Sequence, residues 1–243
     1  MGMNLYDTAR GEVVPFQPGP KVSMYVCGIT PYDATHLGHA FTYLTFDLVV
    51  RRLEDLGHEV RMVRNVTDVD DSILAKARDI GIDYQDLAAR EMELFRADLA
   101  ALDLRPATAE PTATGSVDGI LDLIGRLEAG GHTYAVEGNT YFDVSTWDGF
   151  GSMTGLDEAT MLTYAADRGG NPDDPRQRNP LDFVLWQAST AGEPSWDSPF
   201  GPGRPGWHIE CSAMATAELG ETIDLHGGGD DLTFPHHECE ATQ

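Results

Sequence analysis

Residues 24–56 read MYVCGITPYDATHLGHAFTYLTFDLVVRRLEDL, and this stretch decides the fold. Ser23 to Val26 predict a short buried strand that Cys27-Gly28 ends. Ile29-Thr30-Pro31-Tyr32-Asp33 then predicts a turn, because Pro and Asp both favour turn geometry. Leu37, Phe41, Leu44 and Leu48 recur at helical spacing, so an amphipathic helix follows. A helix that opens at the carboxyl end of a strand stands where open α/β sheets bind their ligands. Its unpaired N–H groups and positive dipole end suit an anion. His36 and His39 share one face of the first turn, and Gly38 between them lets a flat ligand approach the backbone. Spacing alone is equally met by a helix start with two solvated histidines.

Working outward, Gly57 stops the helix, and Glu59 to Asn65 alternates polar with apolar residues as a second strand. Strand, helix and strand in succession make a Rossmann-like unit. Asn65-Val66-Thr67-Asp68-Val69-Asp70-Asp71 follows; its three carboxylates suit a cation, an amine or, most simply, the cap of the next helix. Ser72–Asp79, Tyr84–Leu102 and Ser116–Ala129 predict helices, with Leu87, Met92, Phe95 and Leu99 as a buried face. Pro106 and Pro111 mark the connection between the last two. His132 to Val144 predicts a hairpin turning at Glu137-Gly138-Asn139. Trp147 to Pro180 is rich in Gly, Pro and Asp and reads as a loop containing Asp167-Arg168-Gly169-Gly170-Asn171-Pro172. Asp182–Trp186 is a buried strand, Gly192–Gly206 a long loop, Ile209–Leu219 a helix and Thr222–His226 a strand. The glycine-rich turn Gly227 to Asp231 and Phe234-Pro235 lead into a last helix.

At 243 residues the chain can bury a sizeable core as one large domain or one domain with an insertion. No apolar run reaches the length of a membrane span, and the N-terminus lacks a basic-then-apolar leader, so a cytoplasmic enzyme is the expectation. The formal net charge of −24, from 40 acidic and 16 basic residues, leaves no basic stripe for phosphates and leans against a nucleic-acid partner. Three widely spaced cysteines make no disulfide framework. Cys27, Cys211 and His236 stand at three separate strand or helix ends, and Glu240 lies one helical turn beyond His236. Two thiolates, an imidazole and a carboxylate suit tetrahedral zinc, although buried cysteines serve as readily as small core residues.

His36-Leu37-Gly38-His39 resembles the HIGH motif of class I aminoacyl-tRNA synthetases. With Met24-Tyr25-Val26-Cys27-Gly28 before it, the resemblance narrows to cysteinyl-tRNA synthetase and the mycothiol-pathway cysteine ligase (cysteine:glucosaminyl-inositol ligase). The first turn and the DRGGNP stretch resemble the ligase branch, with Asp and Asn where that branch typically has Glu and Asp; Glu240 resembles the synthetase branch. The resemblance implies a Rossmann-like (HUP-type) parallel sheet formed by residues 1–75 and 181–243, with a helical and hairpin insertion over 76–180. It implies that His36 and His39 bind ATP phosphates and stabilise the transition state of adenylation. It implies zinc on Cys27, Cys211, His236 and Glu240, with Cys239 a bystander.

Contacts to cysteine and adenylate are implied for Gly28, Ile29, Thr30, Gly38, Thr42, Asn65, Val66 and Thr67. Trp207 would wall the cysteine pocket, and Gly229, Asp230 and Asp231 would receive the nucleoside. No KMSKS-like lysine loop, which both branches have, and no C-terminal helical region occur in these residues; three readings of this stand side by side: a fragment, another basic group in the lysines' place, or loss of adenylation. Three readings remain open: a ligase that makes cysteinyl-adenylate from L-cysteine and magnesium-bound ATP and passes it to glucosaminyl-inositol; the catalytic portion of a tRNA synthetase; and a zinc- or cysteine-binding module without ligase activity.

Overall fold

The structure is a computed structural model and describes residues 2–243. It divides into two compact units. One comprises Gln17–Ser116 and Met214–Gly229. The other comprises Gly2–Phe16, Val117–Ala213 and Asp230–Gln243. The second includes an antiparallel hairpin of β1 (Met3–Asp7) and β2 (Glu12–Phe16). Pro15 and the Pro-Gly-Pro run after Phe16 hide the second of these strands in the sequence.

The first unit is built on β3 (Lys21–Ile29), the middle strand of a parallel sheet ordered β4 (Glu59–Val66), β3, β9 (Leu225–Gly227). Val22, Met24, Tyr25, Val26 and Cys27 are all buried, as expected of a strand covered on both faces. Contrary to the sequence expectation, Cys27-Gly28 does not end β3. The strand runs on to Ile29 because an irregularity between Val26 and Ile29 absorbs Gly28. There the Gly28 N–H turns to Asn65 Oδ1 at 2.7 Å, and Thr67 N–H donates to the Ile29 carbonyl at 2.9 Å. β9 is also displaced from the expected Thr222–His226, towards the glycines.

The helix α1 (Leu37–Asp55) forms where expected, but it buries Tyr43, Asp47, Val50 and Leu53. Leu37 (88% exposed), Phe41 (75%), Leu44 and Leu48 lie on the outer face. Two stripes of this helix have helical period, and period alone does not say which one faces the sheet. The buried Asp47 is satisfied by Arg51 Nε at 2.6 Å and by the backbone N–H of Arg105 at 3.0 Å.

The three carboxylates after β4 each have a structural task or place. Asp68 accepts from the N–H and hydroxyl of Thr114, at 2.9 and 2.5 Å. Asp70 caps α2 (Asp71–Ile80) through the Ser72 N–H at 2.6 Å, and Asp71 opens its first turn. α3 (Tyr84–Ala101) buries Leu87, Met92, Phe95 and Leu99, as its periodicity predicts. The proline-marked connection is more than a loop. Residues 109–112 lie parallel along β4, with Arg64 N–H donating to the Ala109 carbonyl and Val66 N–H to the Pro111 carbonyl. Prolines lack the N–H of a ladder residue but still accept, so they are tolerated at this edge.

In the second unit an antiparallel sheet is ordered β5 (Thr133–Val136), β6 (Asn139–Phe142), β7 (Phe183–Ala188), β8 (Gly203–Pro205). Glu137 and Gly138, both with positive φ, make the two-residue turn of the predicted hairpin. α4 (Val117–Ala129) contributes Ile120 and Ile124 to a core shared with Phe142, Phe183, Leu185, Trp186 and Ile209. Two elements correct the reading of their segments as loops: α5 (Glu158–Asp167), capped by Asp157, and β8, whose glycine and prolines resemble a turn. α6 (Trp207–Leu219) begins two residues earlier than expected, and α7 (Glu238–Thr242) closes the chain. Among the described residues no helix is long and apolar enough to cross a membrane.

Candidate active site and metal centre

In the first unit, β4 and β9 pair with opposite edges of β3, so the carboxyl end of β3 is a switch point of the parallel sheet. Open α/β sheets bind ligands at such a crevice. Gly28, Ile29 and Thr30 stand there. Gly28 is required by crowding: a Cβ would lie 1.6 Å from the Asn65 carbonyl oxygen. Asn65 and Thr67 are buried at the end of β4, and Asn65 Nδ2 donates to Thr67 Oγ1 at 3.2 Å. Asn65 therefore holds Gly28 with one end of its amide and Thr67 with the other, beside buried Val66. On β9, Gly227 is pressed against Phe46 of α1, where a Cβ would meet the ring at 2.4 Å.

His36 and His39 cap α1 reciprocally. His36 Nδ1 accepts the Gly38 N–H at 3.1 Å, and His39 Nδ1 accepts the His36 N–H at 3.3 Å. The rings stack at 4.0 Å. A neutral imidazole that accepts at Nδ1 carries its proton on Nε2. The capping thus leaves each ring's proton on Nε2, at the helix's positive end. His36 is exposed and His39 half-buried, and Thr42, half-buried, follows one turn along.

In the second unit, Cys211 on α6 and His236 with Glu240 around the start of α7 converge. Their ligand atoms lie within 4.8 Å of one another, and His236 Nε2 is 3.7 Å from Glu240 Oε1. His236 is 1% exposed. Burial works against a charged His236, but the Glu240 carboxylate and Cys211 outweigh it and raise its pKa to about 8. Thiolate, imidazole and carboxylate drawn together in a buried place are the donor set zinc takes. Trp207 stacks on the His236 ring at 4.4 Å, inclined by 25°. Cys239, at 1% exposure, packs in the core among Ile209 and Ala213, outside this group. Cys27 is buried on β3 in the first unit, its Sγ 3.7 Å from His226 Nε2.

Two residues with a part in this arrangement escaped the sequence reading. His208 Nδ1 lies 2.9 Å from His236 Nδ1. Burial and the neighbouring His236 hold its pKa well below the usual histidine range, so it is neutral. Arg168, within DRGGNP, donates through Nη1 to the carbonyls of Asp231 (2.7 Å) and Phe234 (2.6 Å), and stacks on Tyr164. It thereby holds the segment that carries exposed Asp230 and Asp231 and leads to His236. An arginine directly before two glycines was the only signal available.

Comparison with known proteins fits this geometry. Residues 13–243 match the family described as tRNA synthetases class I (C) catalytic domain. The chain is 54% identical over 239 residues to an L-cysteine:1D-myo-inositol 2-amino-2-deoxy-alpha-D-glucopyranoside ligase of Streptosporangium roseum, covering 98% of this chain and 59% of that protein. It is 55% identical over 239 residues to the protein of the same name from Parafrankia sp., covering 98% and 54%. The chain thus spans a little over half the length of these curated relatives. Among solved structures, Mycobacterium tuberculosis methionyl-tRNA synthetase with methionyl-adenylate matches at a TM-score of 0.62 and 16% identity, over 92% of this chain and 55% of that one; this likeness shows the fold alone. The expected α/β fold of a class I synthetase, with its parallel sheet, is therefore present. With residues 13–243 fitting that profile, the chain belongs to the class I (C) tRNA synthetase catalytic-domain family.

Proposed function

We propose that this chain is the catalytic portion of an ATP-dependent ligase that activates L-cysteine as cysteinyl-adenylate and transfers it to the amine of glucosaminyl-inositol, a step of mycothiol biosynthesis. The observation that carries this reading is the identity of more than half the residues, over nearly the whole chain, with proteins named for that ligation. The cysteine carboxylate attacks the α-phosphorus of magnesium-bound ATP and pyrophosphate leaves. The acceptor amine then attacks the acyl carbon and AMP leaves. ATP as substrate places the work in the cytoplasm.

In this reading Nε2–H of His36 and of His39 donate to the phosphates as charge moves onto them, with Gly38 and Thr42 beside them. Preorganised donors of this kind supply most of the help a phosphoryl-activating site gives. Gly28, Ile29 and Thr30 form the floor under the adenylate, kept in place by Asn65, Val66 and Thr67. Gly229 allows close approach of the nucleoside, whose ribose hydroxyls Asp230 or Asp231 accept from. Cys211, His236 and Glu240, joined by Cys27, would hold one zinc ion. An ion held there would supply a soft Lewis-acid centre that favours cysteine's thiolate over serine's hydroxyl. Trp207, fixed against His236, walls the side-chain pocket.

A second reading, transfer to tRNA, is favoured by the family description and by Glu240 lying beside His236. The net charge of −24 weighs against it. Cysteine-dependent ATP–pyrophosphate exchange by the full-length protein, followed by incubation with both acceptors, separates the two. Cysteinylation of the aminosugar is expected; charging of tRNA alone would reject the proposal.

A further inference from the structure

We infer that His208 is a positioning residue that fixes the tautomer and the aim of His236 towards the metal. The inference rests on His236 being a zinc ligand, as proposed above, and goes beyond it by naming the group that prepares that ligand. Two ring nitrogens 2.9 Å apart cannot both carry a proton, so one Nδ1 donates and the other accepts. The other edge of His236, Nε2, faces Glu240 at 3.7 Å and belongs to the converging set with Cys211. A neutral imidazole that offers its Nε2 lone pair carries its hydrogen on Nδ1. His236 is therefore the donor and His208 Nδ1 the acceptor, which leaves the proton of His208 on Nε2.

The position of His208 is itself determined. It lies in the first turn of α6, three residues before Cys211, so one rigid helix carries both a candidate ligand and the group that orients another. Its ring meets the Phe183 ring nearly edge-on, at 5.5 Å and 85°, and Trp207 packs on both His208 and His236. An aromatic wall thus prevents His236 from turning, while one hydrogen bond decides which nitrogen is free. Partners of this kind raise the basicity of a ligating histidine, and their loss typically weakens metal binding 10–100-fold.

The test uses the full-length protein with zinc and with Co2+ as a spectroscopic probe. Chelator competition gives affinity, and nitrogen NMR of labelled histidines gives tautomers. His208→Leu removes the acceptor while keeping an apolar filling, and zinc affinity is expected to fall about 10–100-fold. His208→Asn can offer Oδ1 near the lost Nδ1 and should restore affinity to within about threefold. In the wild type, His236 should show a protonated Nδ1 and His208 an unprotonated one. Tight zinc binding by His208→Leu with an unchanged cobalt spectrum would overturn the inference alone. A wild-type protein that binds no zinc would overturn the zinc reading and this inference with it. Should the leucine variant fail to fold, the tautomers of the zinc-loaded wild type and the asparagine variant decide: a zinc-loaded His236 without a proton on Nδ1 would end the inference.

Discussion

The backbone N–H of Gly38 donates to Nδ1 of His36 at 3.1 Å, so this histidine is the cap of its own helix before it is anything else. Capping and phosphate binding use different nitrogens, which makes them separable. His36→Asn keeps a side-chain acceptor at a position where asparagine is among the best caps. Thermal stability should stay within about 1 kcal/mol of wild type, while ATP–pyrophosphate exchange in the full-length protein falls about 10²-fold or more for want of the Nε2–H donor. His36→Ala should lose both, with a stability cost of about 1 kcal/mol. Equal exchange rates for His36→Asn and wild type would remove the histidine from the chemistry.

Two glycines should respond in opposite senses to alanine. At Gly28 a Cβ would sit 1.6 Å from a carbonyl oxygen of the neighbouring strand, and β3 and β4 would have to part. Overpacking of a core commonly costs about 1–3 kcal/mol, and a clash with backbone belongs at or above the top of that range. Gly125, inside α4, has nothing within 4 Å of its Cβ position. Gly125→Ala should gain about 0.5–1 kcal/mol through helix propensity. Urea unfolding of both variants beside wild type measures the contrast.

Glu110 gives the acid limb of stability a definite sign. Burial opposes its charge, but Arg64 at 2.5 Å and Arg96 at 3.1 Å outweigh that and lower its pKa below the ordinary 4.5. A carboxylate with a depressed folded pKa contributes stability that is full above its unfolded value and lost as pH falls through the folded one. The wild type should therefore weaken below about pH 4.5 with a proton uptake that Glu110→Gln lacks. Glu110→Ala leaves Arg64, only 4% exposed, without that carboxylate, and should cost about 3 kcal/mol at neutral pH. Unfolding free energies of the three proteins from pH 3 to 7 are the measurement.

Much of this was legible in the residues, and the exceptions have physical causes. The apolar run of β3, the turn chemistry after it and the period of α1 placed a helix start beyond the carboxyl end of a buried strand, where the structure has it. Cys211, His236 and Glu240 were nominated by donor type, and the fold brings them together. The face that α1 buries was not legible, since Leu37 and Phe41 look as apolar as Tyr43 and Val50. β8 and the 109–112 edge were hidden by Gly and Pro, which mark turns in sequence but can still accept hydrogen bonds in a sheet. α5 was lost in a stretch whose flanks are dominated by breakers. His208 was invisible because its role depends on a ring 28 residues away.

Arg168 donates from one nitrogen, Nη1, to two carbonyls while its guanidinium plane lies over the Tyr164 ring, a combination that lysine's ammonium matches less well. Arg168→Met should free the 231–236 segment. Limited proteolysis there should quicken, and the KM for ATP and the chelator sensitivity of bound zinc should both rise, with about 1–2 kcal/mol lost in global stability. Arg168→Lys should fall between the two. Proteolysis at the wild-type rate in Arg168→Met would show that the segment holds itself.

Cys239 offers an internal clock. Its thiol is sealed in the second unit's core, and burial beside Glu238 and Glu240 pushes its pKa well up, so hardly any reactive thiolate exists while the core is closed. It stands outside the proposed metal set, so alkylation at this sulfur counts openings of that core whether or not a metal is loaded. One mass-spectrometric time course with iodoacetamide would then separate breathing of the scaffold from exposure of the ligands, which slows only when an ion is held.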